Sequence, residues 1–353
     1  MRTLTEWISR IGPPDEAAGQ AAQERWNSIA KPLGSLGQFE TAVTKIASLR
    51  GDPEIRLTAK TLLVFCADNG VVAQGVSQCG DSVTAKVAVA LAENRSTASA
   101  MATDTGCRVI PADMGMRDFQ GHSGVVNLRV RNASGDISRE SAMSREECIR
   151  AMELAADLVE RLAGEGTDLL AIGEMGIGNT TTTAALSAVL LDRQPEEVTG
   201  RGAGLSTDGL EHKIKVIRQA LTRCTADRND PIGLIAELGG LDIAGMCGAF
   251  IGAAACRVPV IMDGCISAAA ALCAARLCPG VKTALLASHV SAEPAGRMIL
   301  RELGLHAPID AGLRLGEGSG ALMLMPLLDM VIRVYQSGQS FERLGIDPYR
   351  ALS

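Results

Sequence analysis

Residues 61–70 read Thr-Leu-Leu-Val-Phe-Cys-Ala-Asp-Asn-Gly. An uncharged run of this kind, rich in branched and aromatic side chains and closed by Asp-Asn-Gly, is the pattern of a β-strand buried on both faces and ended by a turn. The pattern recurs downstream in Cys107–Ala112, Asp168–Ile172, Val258–Met262 and Thr283–Ala287. Helical stretches separate most of these runs; Ser144–Leu162 opens with Ser-Arg-Glu-Glu, a capping pattern. Strands alternating with helices form βαβ units, so the alternation predicts an α/β fold, an open, mostly parallel sheet flanked by helices. No internal repeat or low-complexity linker is visible.

The two ends read differently. Leu4–Ile11 and Glu16–Ile29 look helical and are followed by a Lys-Pro-Leu-Gly-Ser-Leu-Gly turn at 31–37 and a further helix; the chain after about Leu322 is helical again. The expectation is a small helical domain built from residues 1–50 and about 335–353, beside an α/β catalytic domain over 51–334.

Composition narrows the function classes. The 353 residues accommodate one large domain or two ordinary ones, at about 100–200 residues each. With 47% hydrophobic and 21% charged residues the chain has the balance of a soluble globular protein. Only 3% is aromatic and 38 residues are Gly, so the interior must be built from small and aliphatic side chains, which suits α/β layers. A net charge of −6 without any Lys/Arg run argues against nucleic acid. The first residues show no signal-peptide pattern, and no apolar run reaches the roughly 20 residues that span a bilayer. Of the 10 Cys, Cys66, Cys247, Cys256, Cys265 and Cys273 sit in apolar stretches and none forms C-x-x-C. His122, His212, His289 and His306 show no zinc-binding spacing. A reduced, cytoplasmic protein without metal, membrane or nucleic-acid partner is expected.

The candidate site follows from what ends each strand: Asp68-Asn69-Gly70, Asp113-Met114-Gly115, Gly173-Glu174-Met175-Gly176, Asp263-Gly264 and Ser288-His289. Open parallel sheets bind ligands outside the carboxyl ends of their strands, although Asp and Gly are also ordinary turn residues. Gly173–Thr183 (GEMGIGNTTTT) is the best phosphate candidate, a glycine-rich turn opening a helix that bears Asn179 and four threonines. It is neither a P-loop nor G-x-G-x-x-G, so a monophosphate is the expected guest and a dinucleotide dehydrogenase is disfavoured. Arg201-Gly202-Ala203-Gly204 would add amides, and Lys213 a counter-charge unless it is a plain surface lysine. Gly316-Glu317-Gly318-Ser319-Gly320 places a glutamate between glycines, where a flat ring approaches the backbone closely. Ser319 stands one place late for a nucleophile elbow, which disfavours a serine hydrolase.

Taken in order, KPLGSLG at 31–37, ADNGVVAQG at 67–75, GEMGIGNTT at 173–181, GGLDIAGMCG at 239–248, Asp263-Gly264, SHVSAE at 288–293 and RLGEGSGA at 314–321 resemble the nicotinate-nucleotide:dimethylbenzimidazole phosphoribosyltransferase family over essentially the whole chain. The resemblance implies a dimeric enzyme of cobamide nucleotide-loop assembly that needs no cofactor. Its substrates would be nicotinate mononucleotide and an aromatic base, and the transfer would invert C1′. It also implies roles. Glu317 would be the general base and Glu174 a supporting carboxylate near the ribose. Gly176, Ile177, Gly178, Asn179, Thr180, Gly202, Ala203, Lys213 and Ser291 would cradle phosphate and ribose. Cys79, Val87, Leu315 and Met175 would line the aromatic-base pocket.

The chain departs from the family pattern at three places. Asn69 stands where Ala-Asp-His-Gly is usual, and Cys79 and Val87 occupy positions expected to carry Ser and Gln. A pocket with fewer polar groups penalises less a guest lacking a second ring nitrogen. Some members attach phenol or p-cresol and work as two-chain enzymes. Phenolic transfer, a homodimer or heterodimer, and a non-catalytic partner subunit therefore stay open beside the benzimidazole reading.

Overall fold

The computed structural model describes residues 2–349. Its strands are β1 (Lys60–Ala67), β2 (Arg108–Gly115), β3 (Val126–Asn127), β4 (Leu169–Met175), β5 (Val260–Met262) and β6 (Leu285–Ala287). All pair in parallel, in the order β3-β2-β1-β4-β5-β6. The sequence pattern located five of them. β3 is a two-residue edge strand, too short to leave a periodic signal. β4 runs three residues beyond its expected end, so Glu174 stands in the strand itself rather than in the turn after it.

Alternation along the strands explains the two covered faces. On β1, Leu63, Phe65 and Ala67 enter one core while Leu62, Val64 and Cys66 enter the other. β4 divides in the same way, with Leu170 and Ile172 opposite Leu169 and Ala171. A sheet apolar on both sides must carry helices on both. The first face is covered by helices Arg145–Gly164, Leu241–Ala255 and Cys265–Leu277. Ser144 and Glu147 close the expected capping box. The two longer helices meet backbone to backbone, since a Cβ on Gly248 would lie 2.1 Å from the Met152 carbonyl oxygen.

The second face carries Glu16–Ser28, Gln38–Arg50 and Ser319–Ser337. The rings of Trp26 and Tyr335 lie 4.9 Å apart, the Tyr335 hydroxyl donates to the Pro53 carbonyl at 2.8 Å, and Ile29 and Ser340 form an antiparallel bridge. The first helix, Leu4–Ser9, does not join this group. Leu4 and Trp7 enter the opposite core, and the Leu4 amide donates to Glu153 at 2.9 Å. The helix Ser319–Ser337 runs unbroken through the expected boundary near 335. Met1 and residues 350–353 of the expected small domain lie outside the described residues. Among the described residues no helix is long and apolar enough to cross a membrane.

Strand order reverses at β1, with β2 and β3 on one side and β4 to β6 on the other. A crevice opens at the carboxyl ends where such a reversal occurs.

The Gly248 contact sets a test of the packing. Gly248→Ala is expected to cost about 1–3 kcal/mol by forcing the two helices apart, seen as a lower melting temperature. Gly164→Ala, where an added Cβ meets nothing within 4 Å, leaves the melting temperature unchanged or slightly higher.

Candidate active site

A cavity of about 300 Å³ lies outside the carboxyl ends of β4, β5 and β6. Glu174, Met175 and Gly176–Thr180 reach it from β4, Asp263 and Gly264 from β5, and His289 and Ser291 from β6. β1 and β2 do not deliver their terminal acids to it, contrary to expectation. Asp113 accepts the amides of Gly115 and Met116 at 2.9 and 2.8 Å, and Asp68 accepts that of Arg117 at 2.7 Å. Both acids hold the irregular end of the β1–β2 pair, where the register shifts after Cys66.

The glycine-rich loop is shaped by close contacts. A Cβ on Gly176 would meet the Ala67 carbonyl oxygen at 2.6 Å, and Gly178 has φ +93°. The helix begins at Asn179, as expected. Fewer of its groups face the cavity than the sequence promised. The Ile177 amide already donates to Thr84 Oγ1 at 3.3 Å and the Asn179 amide to the Gly176 carbonyl at 3.1 Å. Of the four threonines only Thr180 lines the cavity, while Thr181, Thr182 and Thr183 are buried in helix packing. Asn69, in place of the usual histidine, is buried beneath the loop and donates to the Ile177 carbonyl at 3.4 Å.

Lys213 is no surface lysine. It is wholly buried and donates to Thr180 Oγ1 at 2.8 Å and to the Gly200 carbonyl at 3.2 Å, tying the helix start to the 200–204 loop. Burial pushes its ammonium down to about 8. Gly202, Ala203 and Ser291 line the cavity beside it, and the Gly202 amide donates to Glu293 Oε1 at 3.0 Å.

Four carboxylates gather around Asn179 and the 316–318 turn. Gly316, Glu317 and Gly318 have φ of +86°, +58° and +81°, so Glu317 holds a left-handed backbone that side chains rarely adopt. A Cβ on Gly316 would meet Glu174 Oε1 at 2.5 Å, and one on Gly318 would meet Leu62 Cδ1 at 2.3 Å. The Glu317 amide donates to the Glu174 carbonyl at 3.2 Å. Its own Oε2 is buried without a hydrogen-bond partner, and burial raises its carboxyl above the ordinary value. Glu174 is raised to about 8 by burial and then by the charge of Asp242. Asn179 Nδ2 donates to both, to Glu174 Oε2 and to Asp242 Oδ2 at 3.0 Å. Asp242 is raised to about 6 by burial and Asp263 to about 7 by the same cause, against the pull of the backbone amides it accepts.

Asp242 and the part played by Asp263 escaped the sequence reading. Asp242 is the sole charged residue of the helix Leu241–Ala255, all but the last residue of which is buried. An acid placed inside an all-apolar helix was the available signal. His289 is structural in form: burial holds it neutral, near 4, and Nδ1 lies 3.0 Å from Ser288 Oγ.

Val87, Met175 and Leu315 line the cavity, but Cys79 does not. Val83 and Val87 share a face of the helix Ser82–Ala92, whereas Cys79 lies in the irregular stretch before it. Its sulfur is 3.8 Å from Ser77 Oγ, and Ser77 and Gln78 line the cavity instead.

Comparison with known proteins gives this arrangement a context. A phosphoribosyltransferase family model matches residues 11–346. The chain is 40% identical over 347 residues to the nicotinate-nucleotide–dimethylbenzimidazole phosphoribosyltransferase of Acetivibrio thermocellus, covering 98% of this chain and 99% of that protein. It is 37% identical over 338 residues to the Escherichia coli protein of the same name, 96% and 94% of the two chains. The crystal structure of CobT from Thermus thermophilus superposes with a TM-score of 0.89 at 34% identity, over 94% of this chain and 99% of that one.

The carboxylate cluster makes a pH-dependent stability test. Unfolded Glu174 ionises near 4.5, while the folded chain keeps it protonated to about 8. The native state therefore binds the extra proton between these values, and stability from this residue falls as pH rises across that window. Glu174→Gln, which keeps an acceptor for Asn179, is expected to raise the melting temperature at pH 8 by at least about 1 °C, the response to ~1 kcal/mol in a chain of 353 residues. The gain should vanish by about pH 4.5; melting curves that coincide at pH 8 would contradict it.

Proposed function

The chain belongs to this phosphoribosyltransferase family, and from that premise we propose that it moves the 5-phosphoribosyl group of nicotinate mononucleotide to a benzimidazole base. Nicotinate is released, and the product serves the nucleotide loop of a cobamide. The observation that carries the reading is Glu317 Oε2, a buried carboxylate oxygen without a partner, at the wall of the cavity.

The substrate has a 5′-phosphate at one end and a cationic pyridinium on C1′. The cavity carries groups suited to both: Thr180, bonded to the buried Lys213, and Gly202 and Ala203 line it, and so do Glu174 and Glu317. Backbone amides and a buried ammonium favour the phosphate; a cationic ring entering beside Glu174 and Glu317 draws their raised carboxyls back down, and once ionised they favour the oxocarbenium charge that develops on C1′. The acceptor ring lies among Val87, Met175 and Leu315, and its unprotonated nitrogen attacks C1′ opposite the departing group, inverting that centre. The C1′–pyridinium bond breaks with its electron pair returning to the nicotinate nitrogen, so no general acid is required. The acceptor's other ring nitrogen gives its proton to Glu317. Met323, Met330 and Val334 lie exposed at spacings of one helical face on Ser319–Ser337, which supports a dimer.

The test is nicotinate release by the purified chain from nicotinate mononucleotide with dimethylbenzimidazole or p-cresol. Release with dimethylbenzimidazole is expected, and Glu317→Gln should lose at least about 10²-fold in rate, the low end for general-base catalysis. Turnover by that variant near the wild-type rate removes Glu317 from the role. Release with p-cresol alone assigns a phenolic acceptor, and release with neither favours a partner subunit.

A further inference from the structure

Glu293 occupies the wrong place for a spectator. It precedes the helix Pro294–Leu303, yet its side chain turns into the cavity. Oε1 accepts the Gly202 amide at 3.0 Å. Both carboxylate oxygens and Cδ lie 2.3–2.6 Å from where a Cβ on Gly200 would stand, so the carboxylate rests directly on the Gly200 backbone. The neighbouring cation is Lys213, whose ammonium holds the Gly200 carbonyl and whose charge Glu293 supports. No carboxylate lies within 4 Å of that ammonium among the described residues.

A carboxylate held by a backbone amide beside a buried lysine is an anion in an anion site. Gly202 carries a left-handed φ of +54°, which turns its amide towards that site, and the Ser291 hydroxyl accepts the Glu293 amide at 3.3 Å. Gly202, Ser291 and Thr180, the last bonded to Lys213, are the groups assigned above to the phosphate. Two anions cannot share one amide, and their charges repel at this range.

We infer that Glu293 is an internal stand-in for the substrate phosphate: in the empty site it takes the Gly202 amide, and the incoming phosphate must displace it. The inference rests on the phosphate assignment of the proposed function. Its consequence is an affinity lowered by the fraction of molecules in which Glu293 occupies the site. In exchange the glycine-rich 200–204 loop stays ordered beside an otherwise uncompensated buried ammonium. The displaced carboxylate swings out with the start of its helix, where Pro294 and Ala292 are exposed.

The experiment measures binding of inorganic phosphate and of nicotinate mononucleotide by calorimetry to the full chain and to Glu293→Gln, well below the Lys213 value of about 8 so that the ammonium is charged in both proteins. Glutamine keeps the shape and removes the charge. Both ligands are expected to bind about five- to tenfold more tightly to the variant, because a neutral amide holds the Gly202 N–H less strongly than a carboxylate and the competing state is depopulated; in turnover the change should appear in KM and in the inhibition constant of phosphate. Glu293→Asp, one methylene short of the Gly202 amide, should fall between the two proteins. A merely structural Glu293 would lower the melting temperature and leave affinity unchanged or weaker, which overturns the inference, as does absence of phosphate binding by both proteins. Tighter phosphate binding by the variant, with nicotinate mononucleotide bound by neither, supports the stand-in and refutes the proposed substrate.

Discussion

The architecture depends on one buried carboxylate. Asp263, at the end of β5, accepts the amides of Gly318 at 3.2 Å, Gly320 at 2.7 Å and Ala321 at 3.2 Å. These are the unpaired donors at the start of the helix Ser319–Ser337, which offers no side-chain cap of its own. Charge-assisted bonds of this kind contribute about 1.5–3 kcal/mol each, and they are made where both partners are removed from water. Through them the helix Ser319–Ser337 is fastened to the sheet's carboxyl edge. That helix brings Tyr335 to Trp26, so the packing of the N-terminal helices follows from the same contact. Glu317, one residue before Gly318, is aimed by it.

Around this anchor the site opposes burial to charge. Glu174, Asp242 and Asp263 are each pushed upward by loss of water, and Glu174 and Asp242 share one neutral donor, Asn179. No cation forms an ion pair with Glu174 or Asp242 among the described residues. Packed carboxylates without a counter-charge are costly in the empty protein and favourable once a cation enters. Lys213 is the converse, a buried cation without an ion pair within 4 Å among the described residues. In the proposed reaction the guest's cationic ring and its phosphate would offset these two costs.

Much of this was legible in the residues. Strands buried on both faces announce themselves as unbroken apolar runs, and Glu174, Glu317 and the 176–180 loop stood out because acids and glycines have no reason to interrupt such patterns. Other features depend on distances that sequence does not express. Lys213 sits in an amphipathic helix, Thr207–Arg223, in which a lysine ordinarily faces water; only the approach of Thr180 and Gly200 buries it. Asp263 looks like a turn residue until the amides of Gly318, Gly320 and Ala321 are seen on it. Leu4–Ser9 has a helical pattern that says nothing of which sheet face it covers. Cys79 stands three residues before the helix that begins at Ser82, so no helical spacing carries it to the cavity beside Val87.

The left-handed Glu317 shows how the anchor and the chemistry are joined. A non-glycine residue in that region costs of order 1–3 kcal/mol and persists only where its surroundings over-determine it. Here the flanking glycines are themselves required. Gly316 leaves room for Glu174 and Gly318 lies against Leu62, while Asp263 holds the Gly318 amide. A relaxed backbone at 317 would give up these contacts and turn the carboxylate from the cavity. The strain is therefore maintained by the same bonds that cap the helix Ser319–Ser337, and a carboxylate with one oxygen, Oε2, left without a hydrogen-bond partner is kept at a fixed position. A buried carboxylate oxygen left unpaired does little to stabilise the folded chain, and in the proposed reaction it is the atom that would take the acceptor's proton.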